Sequence, residues 1–175
     1  LGEGVESTDE YGATIAASTA NKYLNLQLPV GYVGAGSERL VLAPERGSRQ
    51  RAAILRHIAA SKPEGEQPLF SLLSEFERDV GRGSSLIVIT AAPDGDWVNA
   101  LGALGKRGVQ AIAVLLDRAS FDGEDGADVA RDRLVALGVR TYVVRKGGSL
   151  AGALSETEGT RQVAAAYRLR HEAAD

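Results

Sequence analysis

Apolar positions along this chain switch between a helical and a strand period, and the switches mark its elements. Between Thr8 and about Asn25 the positions Ile15, Ala16, Thr19, Tyr23 and Leu26 recur at steps of three and four, which predicts an amphipathic helix. Ser7 or Thr8 can cap it, and Asp9 and Glu10 fall in its first turn, where carboxylates favour the helix dipole. Leu28 to Val33 and Glu38 to Ala43 read as strands, and the Gly34-Ala35-Gly36-Ser37 turn between them makes a hairpin. From Ser48 the helical period returns, with Ile54, Leu55 and Ile58 on one face. After a polar loop from Lys62 to Gln67, Pro68 suits the first turn of a further helix with the stripe Leu69, Leu72, Leu73 and Phe76.

The second half alternates. Leu86 to Thr90 is a strand, Trp97 to Lys106 a helix, Val109 to Leu116 a strand, Ala127 to Leu137 a helix and Arg140 to Val144 a strand. The run Val109 to Leu116 is apolar almost throughout, the pattern of a parallel strand buried on both faces. Alternation of this kind predicts an α/β fold: three layers, a mostly parallel sheet with one antiparallel edge strand, and helices on both faces. The tail from Glu156 to Asp175 mixes charge and alanine, in a pattern open to helix, fraying or disorder.

Composition narrows the function classes. The 175 residues suffice for one ordinary domain with a sizeable core. A net charge of −3 argues against broad nucleic-acid binding. The chain has no cysteine, so disulfides, thiolate metal sites and cysteine nucleophiles are excluded. Its two histidines, His57 and His171, cannot build a multi-histidine metal cage. The chain begins at Leu1 and lacks methionine, so we expect it to be a piece of a longer protein. No run approaches the roughly 20 apolar residues that span a bilayer, and no signal peptide is visible.

Candidate chemistry centres on one turn. Ligands of an open parallel sheet bind at the carboxyl ends of its strands. The strand Leu86 to Thr90 runs out into Ala91-Ala92-Pro93-Asp94-Gly95-Asp96-Trp97. Pro-Asp-Gly-Asp is good turn chemistry, and Asp96 is placed to cap the following helix. Other constellations read more blandly. Gly31-Tyr32-Val33-Gly34-Ala35-Gly36 lacks the third glycine of a dinucleotide loop and is followed by a strand. Asp122 to Asp128 resembles half a calcium loop, but its twelfth position is Arg133 where a bidentate glutamate is needed. Arg46, Arg49, Arg51 and Arg56 cluster near a helix start, able to meet an acidic surface or a phosphate, or simply to be solvated. No Gly-x-Ser-x-Gly elbow and no phosphate loop occurs.

Several stretches carry a resemblance. Glu10-Tyr11-Gly12-Ala13-Thr14-Ile15-Ala16-Ala17-Ser18, Leu28-Pro29-Val30-Gly31, Arg39-Leu40-Val41-Leu42 and Ser85-Leu86-Ile87-Val88-Ile89-Thr90 come first. Arg107-Gly108-Val109 and Thr141-Tyr142-Val143-Val144-Arg145-Lys146-Gly147 follow. In this order they resemble the C-terminal part of the domain-of-unknown-function 58 family, a von Willebrand factor type A-like domain, from about Thr8 to Leu154. The resemblance implies a type A-like domain over residues 1–155. It implies a bacterial protein with membrane segments upstream, this domain in the cytoplasm, and a MoxR-type AAA+ ATPase as partner. It further implies a protein-interaction module, with an enzyme or small-molecule binder using the strand-end crevice as the alternative.

The chain departs from the type A pattern in two places. No strand ending in Asp-x-Ser-x-Ser precedes Thr8, so the central strand is expected to be missing from the fragment. Its absence would leave edges open to a partner chain, to strand exchange or a homodimer, or to direct pairing of the Leu28 and Leu86 strands. Where the family's metal-site threonine should fall stands Gly65-Glu66-Gln67-Pro68. A hard divalent cation needs about six oxygen ligands, and one turn with two carboxylates does not supply them. We therefore expect no metal and no cofactor, and we name Asp94, Asp96, Trp97 and Gln67 as partner-contact residues.

Overall fold

The computed structural model describes residues 7–35, 39–61, 67–76, 80–124 and 126–148. The chain is an α/β protein that divides into two compact units, Leu1–Pro68 and Leu69–Asp175.

In the first unit, helix α1 (Thr8–Asn25) precedes a hairpin of β1 (Val30–Ala35) and β2 (Arg39–Glu45), and helix α2 (Gly47–Ala60) follows. Ser7 caps α1, its Oγ accepting from the Glu10 N–H at 3.3 Å. The strands are antiparallel, with Val33 opposite Val41, and the register shifts between Val30 and Tyr32. That bulge lets β2 run through Pro44, a residue that cannot donate to a regular ladder. Gly31 faces the same point: a Cβ there would meet the Leu42 carbonyl oxygen at 2.9 Å. Ala20, Leu24 and Ile54 form the core of the unit, with Val30, Tyr32, Leu42 and Ile58 packed around them. Gln50 is buried on α2, and its Nε2 donates to the carbonyls of Val30 (2.7 Å) and Ala43 (2.9 Å). One side chain thus ties the helix to both strands of the hairpin.

In the second unit, α3 (Leu69–Phe76) leads into β3 (Ser85–Thr90), α4 (Asp96–Lys106), β4 (Gln110–Leu116), α5 (Asp128–Ala136) and β5 (Arg140–Val144). The sheet order is β3-β4-β5, all parallel, with Ile87 opposite Ile112 and Val114 opposite Tyr142. This is a Rossmann-like arrangement. Successive right-handed crossovers put α4 and α5 on the same face. There Leu86, Val88, Ala111, Ala113, Leu115 and Val143 pack with Trp97, Val98, Leu101 and Leu104 of α4 and Ala130 and Leu134 of α5. The alternate positions point to the other face, and Val114, Leu116 and Val144 there are buried as well. The two-sided burial expected of the apolar run in β4 is therefore present. Gly108 (φ +91°) and Gly138 (φ +77°) follow α4 and α5 in the left-handed conformation that ends helices.

Three details differ from the sequence reading. The hairpin forms a two-stranded sheet of its own, and β1 and β3 are not paired. Asp96 is the first residue of α4; Gly95 holds the cap position, and no side chain caps the helix. Asp96 still lies in the first turn, where its charge favours the dipole. Residues 1–6, the tip of the hairpin, most of the Lys62 to Gln67 loop, and everything from residue 149 on, the Glu156 to Asp175 tail and His171 included, lie outside the described residues. Within those residues, no helix is long and apolar enough to cross a membrane.

Candidate functional site

The carboxyl ends of β3, β4 and β5 deliver three loops to one edge of the second unit. The β3 loop turns at once, with Thr90 Oγ1 accepting from the Ala92 N–H at 2.9 Å. Trp97 enters the core, only 4% exposed, and its indole Nε1–H donates to the Pro93 carbonyl at 2.7 Å. The indole thus pins the turn from below. Asp94 does not face open solvent alone. The Arg133 guanidinium, projecting from α5, donates to both Asp94 oxygens at 2.6 and 2.5 Å and to Asn99 Oδ1 at 3.1 Å. Nη1 alone meets the two carboxylate oxygens while Nη2 reaches Asn99, so the guanidinium is held by both residues at once. Asp96 is exposed at the start of α4.

The β4 loop holds a residue the sequence reading passed over. Asp117 ends the apolar run and is buried, its carboxylate only 10% exposed. Its Oδ1 accepts from the Ala127 N–H at 3.0 Å and its Oδ2 from Arg145 Nε at 2.9 Å. Its backbone N–H donates to the Val144 carbonyl, and its carbonyl accepts from Ser120 Oγ at 2.7 Å. Ser120 Oγ in turn accepts from the Lys146 N–H at 3.0 Å. A single buried carboxylate therefore joins the end of β4, the start of α5 and the end of β5. An aspartate directly after a buried parallel strand was the available signal, because strand ends are where such sheets place polar groups.

The charges continue outward. Arg145 also approaches Asp128 at 4.0 Å, and Arg131 pairs with Asp128 (2.7 Å) and Asp132 (2.9 Å). The Asp132 hydrogen bond, then the charges of Asp132 and Asp128, hold the Arg131 guanidinium above its ordinary pKa. Asp122, read above as the start of half a calcium loop, has left-handed backbone (φ +66°) and lies 3.8 Å from Lys146 Nζ.

Two consequences follow for chemistry. Asp94 and Asp117 already have cationic partners, and among the described residues no group of three or more His, Cys, Asp or Glu side chains is placed to hold a metal ion. The hollow between the β3 and β4 loops, lined by residues such as Ala91, Pro93, Leu116, Arg118 and Ala127, has room for about one water molecule. Small-molecule sites are typically of several hundred Å³.

Of the four residues named from sequence, Asp94, Asp96 and Trp97 sit at this edge. Gln67 lies in the coil ahead of α3, at the end of the first unit. Comparison of the chain with protein-family models, with curated proteins and with solved structures finds no match.

Proposed function

We propose that this chain is a type A-like protein-interaction module, and that the strand-end edge of its second unit is a contact surface. One observation carries the reading. The polar groups described there are spent on one another: Asp94 on Arg133, Asp117 on Arg145 and Ala127, with a hollow between the loops too small for a substrate. Such an edge offers a shallow, polar surface with the Asp96 carboxylate exposed on it, and shallow polar surfaces suit protein partners better than small ligands. By the resemblance to the domain-of-unknown-function 58 family, the partner is a MoxR-type AAA+ ATPase and the setting the cytoplasm of a bacterium.

The test is direct binding. The chain is immobilised and titrated with a purified MoxR-type ATPase, with and without nucleotide. Saturable binding that weakens on Asp96→Arg and Asn99→Lys, two changes on the outer side of α4, supports the proposal. Saturable binding that both variants leave untouched refutes this surface, and no binding in either nucleotide state refutes the partner.

A further inference from the structure

We infer that the outer face of α2 is a second docking surface, one that receives an acidic amphipathic helix. The face is made of Arg49, Ala52, Leu55, Arg56 and Ala59, all exposed. Leu55 stands 38% exposed at the other edge of this face, about 100° round the helix from Arg56. Arg49 and Arg56 make no ion pair among the described residues, whereas Arg131, Arg133 and Arg145 of the second unit are all matched to aspartates. No acid occurs anywhere in α2, from Gly47 to Ala60.

Folding alone does not favour this arrangement. Arg49 is the third residue of α2, where a cation opposes the helix dipole and where glutamate is the residue that helps most. The first turns of α1, α4 and α5 carry Asp9 and Glu10, Asp96, and Asp128. On α2 the charge is reversed, on an exposed face where Arg49 and Arg56 meet no counter-ion among the described residues.

The chemistry of the face specifies its occupant. Arginine forks match carboxylates in pairs. Arg49 and Arg56 are seven residues apart, two turns, or roughly 10.5 Å along the axis. Two carboxylates separated by two turns of a partner helix would meet both. Ala52 and Ala59, in the middle of the face, are small enough to let a second backbone approach, and Leu55 supplies an apolar contact on the edge opposite the arginines. A nucleic acid or an anionic membrane would be recognised by a broad positive field, but the chain as a whole carries −3.

The probe is a labelled synthetic helical peptide with two glutamates two turns apart along one edge of its contact face and a leucine on the other edge, titrated with the full chain and followed by fluorescence anisotropy. Saturable binding is expected. It should weaken about tenfold, roughly 1.4 kcal/mol, in the double variant Arg49→Glu, Arg56→Glu, and similarly for a scrambled peptide with its glutamates on opposite faces. A peptide with lysines in place of the glutamates should bind the double variant and not the parent, which separates lost charge from lost fold. The melting temperature of Arg49→Glu alone should rise, because the new acid lies in the first turn, where it suits the dipole. Equal binding of the scrambled peptide, failure of the lysine peptide to restore binding, or tighter arginine-dependent binding to phosphatidylserine vesicles or a single-stranded oligonucleotide would each overturn the inference.

Discussion

Removing the Asp117 carboxylate should unlock the strand-end edge without touching the apolar core. In Asp117→Ala, the Ala127 N–H loses its acceptor while its residue is 9% exposed. A buried donor left unsatisfied costs about 1–3 kcal/mol. Arg145 is lost as a partner too, but its side chain is 57% exposed and can turn to water, so that part is worth under about 1 kcal/mol. The expected total is about 1–4 kcal/mol. Asp117→Asn keeps an oxygen for the Ala127 N–H but puts an NH2 donor where Oδ2 accepted from Arg145 Nε; the exposed Arg145 can turn to water, so the change should cost about 1 kcal/mol. Trp97 is the only tryptophan and is buried in the same unit, so its fluorescence during urea unfolding reports the second unit selectively. If the alanine variant unfolds within about 0.5 kcal/mol of the parent, or if asparagine proves as damaging as alanine, the carboxylate is not the joint described here.

Other expectations are shorter. Gly102→Ala and Gly105→Ala place the same methyl group in α4 with opposite results. At Gly102 the new Cβ would sit 2.9 Å from Leu137 Cδ1 and 3.2 Å from its Cβ, so overpacking of about 1–3 kcal/mol should outweigh the helix-propensity gain. At Gly105 nothing lies within 4 Å, and thermal melts should show a gain of about 0.5–1 kcal/mol. Burial pushes the Tyr32 phenol above its ordinary value, so the folded state holds that proton to higher pH than the unfolded state. Its contribution is complete below about pH 10 and is lost as pH rises through the folded value. In Tyr32→Phe the alkaline loss of stability should be shallower, which denaturant midpoints against pH would show. Arg133→Ala should cost no more than about 1 kcal/mol, since the pair with Asp94 is partly exposed. It should nonetheless speed hydrogen exchange in the Pro93 to Asp96 turn.

The elements were legible where one period ran unbroken. The steps of three and four through Ile15 and Tyr23 located α1, and the run Arg140 to Val144 located β5 to the residue. Boundaries slipped where local backbone chemistry intervened. β1 starts at Val30 because Gln27 adopts left-handed backbone (φ +59°) and Leu28 hydrogen-bonds back to Tyr23. β2 continues to Glu45 because a bulge accommodates Pro44, which as a sequence signal reads as a break. The edge where Asp94, Asp96 and Trp97 lie could be named from the position of the turn after an apolar strand. Their partners could not. Arg133 meets Asp94 across 39 residues and Arg145 meets Asp117 across 28, separations at which no local pattern ties a cation to its acid. Gln50 was hidden for a related reason: its bonds are to backbone carbonyls, which have no sequence signature.

The order β3-β4-β5 also has a meaning in time. Each strand pairs with the one made just before it, so every β-α-β step closes once its second strand has left the ribosome. A nascent chain stalled with β4 and α5 emerged would already bury Trp97 against Val88 and Ala113, while Asp117 would still lack Arg145. Synthesis of β5 then supplies the last cation, so the Asp117 joint is complete only when the whole sheet exists. Tryptophan fluorescence of stalled chains should therefore reach its folded value before protease resistance of the residue 117 to 127 loop does.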